Sequence, residues 1–202
     1  VRQYGDWTFP QDGEYHNAPA ETQADTLHDL LVDATRLRLR SDVPVGAYLS
    51  GGLDSSVLVA IIHHYGNVPL RTFSIGFEDA DYDESKYQQQ MIDHLGADHS
   101  RISCGNSDIA QAFAQAIWHT EAPVLRTAPV PMMLLSGLVR SQGYKVVLTG
   151  EGSDEVLGGY DIFKESKVRH FWAQRPGSSW RPLLLKRLYP YLDFTSAQSS
   201  AY

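Results

Sequence analysis

The sequence lacks the features that define several large classes of protein. Its 202 residues contain one cysteine, Cys104, so no internal disulfide can form and a cytoplasmic location is favoured. No apolar run is long enough to cross a bilayer, and the first residues do not resemble a signal peptide. A net charge of −7 argues against binding to nucleic acid or to anionic membranes.

The composition is that of a globular protein, since 43% of the residues are hydrophobic. The length of the chain suits one domain. Residues 1–20 have no sustained period and are interpreted as a linker, from which Trp7 and Phe9 dock on the domain. Residues 21–202 form the domain. The polar residues 196–202 carry no stop signal, so we expect the domain to continue beyond them.

Hydrophobic periodicity predicts an alternation of strands and helices. The predicted strands are a run that begins at Val45 and the segments 71–77, 98–103 and 145–149. The predicted helices are 21–40, the segment from the first serines after Val45 to about 65, 83–95, one beginning at Ser107, one through Pro131–Val139 and a helical region after Tyr160. This order predicts an α/β fold with a mainly parallel sheet sandwiched by helices, which binds ligands at the carboxyl ends of its strands.

Several polar residues have plain structural interpretations. Thr22 or Asp25 could cap the first helix, and Ser107 could cap the fourth. The acidic segment 78–83 could bind a metal, but acidic residues before a helix are common caps, and we favour capping. The histidines have no ligand partners at metal spacing and are expected at the surface, among them His63, His64, His94 and His99. Cys104 has no base nearby in sequence and is interpreted as a bystander thiol.

The most informative segment is Ser50-Gly51-Gly52-Leu53-Asp54-Ser55-Ser56, which follows a buried strand and opens a helix. Glycines allow close backbone approach, and a helix N-terminus offers free N–H groups and the positive end of the helix dipole. These features suit a phosphate. Asp54 would repel a phosphate unless a divalent cation lay between them, because such cations take oxygen ligands from both.

A second acidic and glycine-rich segment, Gly150-Glu151-Gly152-Ser153-Asp154-Glu155, follows the last predicted strand. It could be an acidic turn that caps a helix, but its glycines favour close approach to a ligand. Asp154 could be the second carboxylate on the cation, and Glu151 could be a base or an ion-pair partner. Arg126 stands alone in a loop, where a surface arginine and an anion ligand are equally good interpretations.

The first loop resembles the pyrophosphate loop of the ATP pyrophosphatases. Together with the second segment and Gly159-Tyr160, it resembles the synthetase domain of glutamine-hydrolysing asparagine synthetase over essentially the whole chain. Supporting matches lie at 37–46, 72–77 and 121–136. The resemblance implies an adenine-nucleotide α-hydrolase-like fold, in which ATP and Mg²⁺ activate the side-chain carboxylate of aspartate as an acyl-adenylate. Ammonia then displaces AMP and gives asparagine.

By residue match, the resemblance also implies roles for individual positions. Glu151 would face the acyl-adenylate as the candidate base, with Arg126 and Tyr160 nearby. Asp54 and Asp154 would bind Mg²⁺. The remaining nucleotide-binding positions are Ser50, Gly51, Gly52, Asp54, Ser55 and Ser56 at the pyrophosphate, the backbone of Leu49 and Ile75 at the adenosine, and Thr149 and Gly150 along the pocket.

Two departures from the family pattern limit what the resemblance implies. The nucleophilic N-terminal cysteine of the glutaminase half is missing, so ammonia would come from a glutaminase domain absent here. The family also uses a phosphate-neutralising lysine far downstream of the second segment, and the sequence ends before that region, so we expect an incomplete synthetase. The alternatives are a β-lactam-synthetase-like or other enzyme that activates a different acid, and a nucleotide-binding module without turnover. A homo-oligomer is compatible with the sequence.

Overall fold

A computed structural model describes Gln3 and residues 17–190. The predictions for Trp7, Phe9 and the 196–202 segment lie outside the described residues. The described chain forms two compact units, one ending at Thr149 and the other beginning at Gly150. None of the helices in these ranges is long and apolar enough to cross a membrane.

The first unit contains one sheet of four strands, all parallel. The strands are β1 (Val45–Tyr48), β2 (Arg71–Phe77), β3 (Asp98–Cys104) and β4 (Val146–Leu148). Their order across the sheet is β3-β2-β1-β4, so β1 lies between the second strand and the last. β2 has the predicted bounds, and the prediction of a parallel sheet is confirmed.

Helices cover both faces of this sheet. Those of the first unit are α1 (Ala20–Arg38), α2 (Leu53–Tyr65), α3 (Ser85–Leu95), α4 (Asn106–Thr120) and α5 (Pro129–Ser141). On one face, Ala47 and Leu49 pack with Val59 and Ile62 of α2 and with Leu95 of α3. On the other face, the core consists of Phe73 from β2 with Leu135 and Val139 from α5. Two separate cores confirm the predicted sandwich of helix, sheet and helix.

The predicted caps of two helices were wrong. α1 begins after Pro19 without a side-chain cap, and Thr22 and Asp25 lie inside the helix. At α4 the N-cap residue is Gly105 instead of Ser107, and the Asp108 carboxylate accepts the Gly105 N–H at 2.8 Å. Each helix begins earlier than its first good capping residue.

α4 continues through Thr120. Glu121 then ends the helix in a left-handed conformation with φ +51°. On α1, burial falls on Val32 and Thr35, whereas Leu30 is 63% exposed.

The second unit is helical, with α6 (Ser153–Leu157), α7 (Asp161–Ala173) and α8 (Leu183–Leu188). The helical region predicted after Tyr160 is confirmed, and residues 174–182 separate α7 from α8. Buried Arg181 organises this unit, since its guanidinium stacks on the Phe171 ring at 3.9 Å and also donates to the Phe171 carbonyl. Glu165 accepts from Arg169 at 2.6 Å and from the Tyr189 hydroxyl at 2.7 Å.

Candidate nucleotide-binding site

The glycine loop leaves β1 and turns directly into α2. Gly51 has φ +97°, which side chains other than glycine rarely adopt. A Cβ at this position would lie 3.0 Å from both the Cβ and the carbonyl oxygen of Glu84, and 3.3 Å from the Cβ of Tyr87. Two features therefore require glycine at position 51: the backbone angle and the close packing against the start of α3.

Serine hydroxyls hold the loop from inside. The Ser55 Oγ donates to the Gly52 carbonyl at 3.1 Å and accepts the backbone N–H of Ser50 at the same distance. It lies 2.9 Å from the Ser50 Oγ, which in turn accepts the N–H of Gly52 at 3.2 Å. The Ser56 Oγ also donates to the Gly52 carbonyl, at 2.8 Å. In this structure the three serine side chains shape the loop.

The backbone of the loop presents the donors. The N–H groups of Leu53, Asp54 and Ser55 form the first turn of α2 and have no partner among the residues that the structure describes. They lie at the positive end of the helix dipole, which suits an anion. The Asp54 carboxylate in the same turn adds hard oxygen ligands, so this segment is equipped for an anion together with a divalent cation.

Gln88 is a residue of the site that the sequence analysis missed. It lies on α3, is only 2% exposed, and donates from Nε2 to the carbonyls of Ser50 and Ile75, at 3.0 Å each. It therefore joins the glycine loop to the end of β2. Its position, on one helical face with Met91 and Leu95, was a signal that periodicity could have used.

The acidic segment after β2 meets the start of α3 through Asp83, although the N-cap residue of that helix, Glu84, makes no side-chain cap. The Asp83 Oδ1 accepts from the Ser85 hydroxyl at 2.5 Å and from the backbone N–H groups of Phe77 and Ser85 at 3.3 Å. The hydrogen bond from Ser85 is the main reason why the pKa of Asp83 is lowered. Within Gln3 and residues 17–190, no group of three or more acidic, histidine or cysteine residues could hold a metal ion.

His99 was wrongly expected at the surface. Its ring lies between the Thr72 Oγ1, 2.9 Å from Nδ1, and the Ser74 Oγ, 3.0 Å from Nε2. Burial is the first cause of its lowered pKa, and the guanidinium groups of Arg101 and Arg71 lower it further. Neutral His99 thus ties β3 to β2 on one face of the sheet.

A cavity of about 550 Å³ opens where β2 and β3 end. Phe77 and Glu78 line one side, and Arg126 lines another. Arg126 is exposed, and its predicted role stays a prediction. Cys104 also borders the cavity but is buried, and burial raises the pKa of its thiol, which agrees with a bystander.

In the second unit, the predicted acidic segment forms a tight turn. The Ser153 hydroxyl donates to the Gly150 carbonyl at 2.6 Å, and Gly152 has φ +92°. The Asp154 carboxylate lies so close to Gly159 that a Cβ there would be 1.9 Å from its Oδ1. Gly159 therefore makes room for Asp154.

Tyr160 donates its hydroxyl to the Glu155 Oε1 at 2.9 Å, and this bond is the first cause of its raised pKa. The charges of Asp154 and Glu151 raise the pKa further. The structure thus brings Tyr160 among the three predicted acids, with Glu155 as its direct partner. Glu151 itself is exposed.

The strand order explains why the glycine loop lies where a ligand is expected in the first unit. β1, β2 and β3 add to the sheet in one direction, and β4 then returns to the other side of β1. Such a reversal of strand order is where open α/β sheets bind ligands. The glycine loop follows β1, and the chain leaves β4 at Thr149 beside it.

Comparison with known proteins supplies the family. The sequence model of asparagine synthase matches residues 26–201. The chain belongs to the asparagine synthase family. Among the relatives of this family member, asparagine synthetase [glutamine-hydrolyzing] 1 of Bacillus subtilis is 31% identical over 169 residues, which cover 82% of the chain and 26% of the relative.

Amidase chyE of Penicillium rubens is 33% identical over 197 residues, covering 90% of the chain and 28% of that protein. The chain thus spans about a quarter of the length of these two relatives. Among solved structures, the glutamine-dependent NAD⁺ synthetase from Acinetobacter baumannii in complex with ADP matches with a TM-score of 0.50 at 21% identity. That match covers 72% of this chain and 29% of the other, and it supports the adenine-nucleotide α-hydrolase-like fold.

Proposed function

We propose that this chain is the ATP-dependent synthetase part of an enzyme that forms an amide from a carboxylic acid and ammonia. The proposed acid is aspartate, activated at its side chain, and the products are asparagine, AMP and pyrophosphate. The observation that carries the proposal is the glycine loop at the end of β1, with unpartnered N–H groups, in a member of the asparagine synthase family.

The proposed nucleotide contacts follow from the chemistry of the donors. The N–H groups of the first turn of α2 would bind the phosphates, and the backbones of Leu49 and Ile75 would contact the adenosine. Asp54 offers a carboxylate that suits Mg²⁺, and Asp154 is proposed as a further ligand from the family pattern. Bound Mg²⁺ would supply positive charge against the phosphate oxygens.

The proposed chemistry explains why ATP is needed. A carboxylate is a poor electrophile, and adenylation gives it AMP as a leaving group. As pyrophosphate departs, negative charge grows on oxygens that fixed N–H groups of the loop can stabilise without reorganisation. Glu151 is proposed to take the proton that ammonia loses when it attacks. Arg126 and Tyr160 are proposed to contact the reacting groups, and a glutaminase domain is the proposed source of ammonia.

A second candidate keeps the mechanism and changes the acid. The 33% identity to a protein named as an amidase favours this possibility, because family membership does not by itself fix the substrate. A nucleotide-binding module without turnover is a third candidate, because the unpartnered N–H groups of the glycine loop would serve binding as well as catalysis.

Product analysis distinguishes these candidates. The protein carrying this sequence is incubated with Mg²⁺-ATP, ammonia and a panel of carboxylic acids, and AMP, pyrophosphate and amide are measured. AMP and amide that form only with aspartate support asparagine synthesis, whereas AMP and amide that form with another acid identify that acid as the substrate. ADP as the product, or no acid-dependent turnover, contradicts the proposed enzyme.

Two variants test the residue roles. Asp54→Asn should weaken Mg²⁺-dependent ATP binding, whereas Asp33→Asn, at an exposed position on α1, should not. Unchanged affinity in Asp54→Asn would remove Asp54 as a metal ligand. Glu151→Gln should keep ATP binding and lower amide formation by about 10²-fold or more, as expected for loss of a general base. Full synthesis by this variant would exclude that role.

A further inference from the structure

The amide of Gln88 lies where β1 and β2 stop pairing directly. The ladder between the two strands includes the Leu49 N–H, which donates to the Phe73 carbonyl at 2.9 Å. Ser50 follows Leu49 directly, and Ile75 lies two residues after Phe73. The carbonyls of Ser50 and Ile75 both accept from Gln88 Nε2 at 3.0 Å. A side chain from α3 thus continues the connection that the backbone no longer makes.

The orientation of this amide is determined by its partners. Both neighbours are carbonyl oxygens, which only accept hydrogen bonds, so the NH₂ group must face them. The opposite atom, Gln88 Oε1, is buried and has no hydrogen-bond partner within the described ranges. Burying an acceptor without a partner is unfavourable, so this side chain is not at a stability optimum.

The same helix supports the loop one turn earlier. Gly51 packs against Glu84 and Tyr87 so closely that a Cβ would not fit without movement. Glu84 immediately precedes α3 and lies one helical turn before Gln88, so the start of α3 and its first turn contact the two successive loop residues, Gly51 and Ser50. The conformation of the loop, and therefore the direction of the N–H groups that follow it, depends on α3.

We propose that Gln88 is a positioning residue for the nucleotide. Its amide binds the Ser50 carbonyl and the Ile75 carbonyl together. It therefore fixes the distance between the phosphate-binding loop and the adenosine-binding end of β2 before ATP binds. This inference rests on the proposed ATP binding. Such preorganisation raises affinity because the free protein does not have to order these groups on binding.

The test replaces the amide while keeping the size of the side chain. Gln88→Met retains an unbranched apolar chain of similar length and removes both hydrogen bonds. Gln90→Met makes the same change at an exposed position of the same helix and serves as the control. Equilibrium binding of Mg²⁺-ATP and thermal unfolding without nucleotide are measured for each protein, together with the KM for ATP and kcat if turnover is observed.

The expected result is about tenfold weaker ATP binding by folded Gln88→Met, as the loss of two hydrogen bonds allows, with unchanged affinity in the control. The KM for ATP should rise more than kcat falls. A merely structural role would lower the melting temperature and the fraction of active protein, and leave the affinity of the folded protein unchanged.

Gln88→Asn gives a second measurement if the methionine variant does not fold. It keeps the amide but is one methylene shorter, so it cannot serve both carbonyls in the same way, and an intermediate affinity is expected. If the folded variants bind ATP as tightly as the unchanged protein, the positioning role is overturned while ATP binding stands. If the unchanged protein does not bind Mg²⁺-ATP, the proposed function fails first.

Discussion

Replacing Gly51 with alanine tests whether the glycine loop depends on its packing against α3. A residue other than glycine at a φ such as +97° costs about 1–3 kcal/mol. The new Cβ would also lie 3.0 Å from backbone and Cβ atoms of Glu84, and overpacking of this kind typically costs about 1–3 kcal/mol. The two contributions together predict a loss of about 2–6 kcal/mol in the free energy of unfolding.

Gly143→Ala is the matched control. Gly143 has φ +81°, but a Cβ there would meet nothing within 4 Å, so only the backbone cost of about 1–3 kcal/mol applies. Urea and thermal unfolding measure both variants. In a chain of this size a difference of about 2 kcal/mol corresponds to about 4–8 °C in Tm. Equal destabilisation of the two variants would refute the packing argument, as would ATP binding by Gly51→Ala at unchanged affinity.

Three further predictions concern groups with shifted pKa values. His99 has a pKa lowered from 6.5 by burial, so the unfolded chain binds a proton at this residue before the folded protein does as the pH falls. The free energy of unfolding should therefore decline below pH 6.5. His99→Gln should reduce this dependence on pH in unfolding experiments at several pH values. Cys104, the single cysteine, should resist iodoacetamide in the native protein at pH 8 and react with one equivalent in denaturant, and rapid native labelling would contradict its burial. Ultraviolet titration should show Tyr160 ionising above its ordinary pKa of 10.0, and Glu155→Gln should lower that value because the phenol loses its anionic acceptor.

Elements with a strong local pattern were predictable from the sequence. β2 was predicted with its observed bounds because the segment is rich in β-branched and aromatic residues, a local signal that needs no help from distant parts of the chain. The turn at Gly51 and Gly52 and the helix that follows were predictable for the same reason, since glycine and a helix start have local signatures. The α/β class followed from the order of such elements.

Features that depend on distant contacts could not be predicted in the same way. The burial of Gln88 results from two carbonyls 38 and 13 residues earlier in the chain, and an isolated helical pattern shows a glutamine only as polar. His99 was expected at the surface because its partners, Thr72 and Ser74, belong to another strand. The helix caps failed because α1 and α4 begin before their best capping residues.

The strand order also has a consequence for how the chain folds. β1 pairs with β2 across the connection that contains α2, but its other edge pairs with β4, whose residues come about a hundred positions later in the sequence. During synthesis, β1 to β3 can form their ladders while that edge of β1 is still open, and an open edge is able to pair with strands of other chains. Pulse-labelling hydrogen exchange should therefore find β4 protected after β2. The edge beside the glycine loop is the last to close, so a nascent chain halted before residue 146 is expected to aggregate through β1.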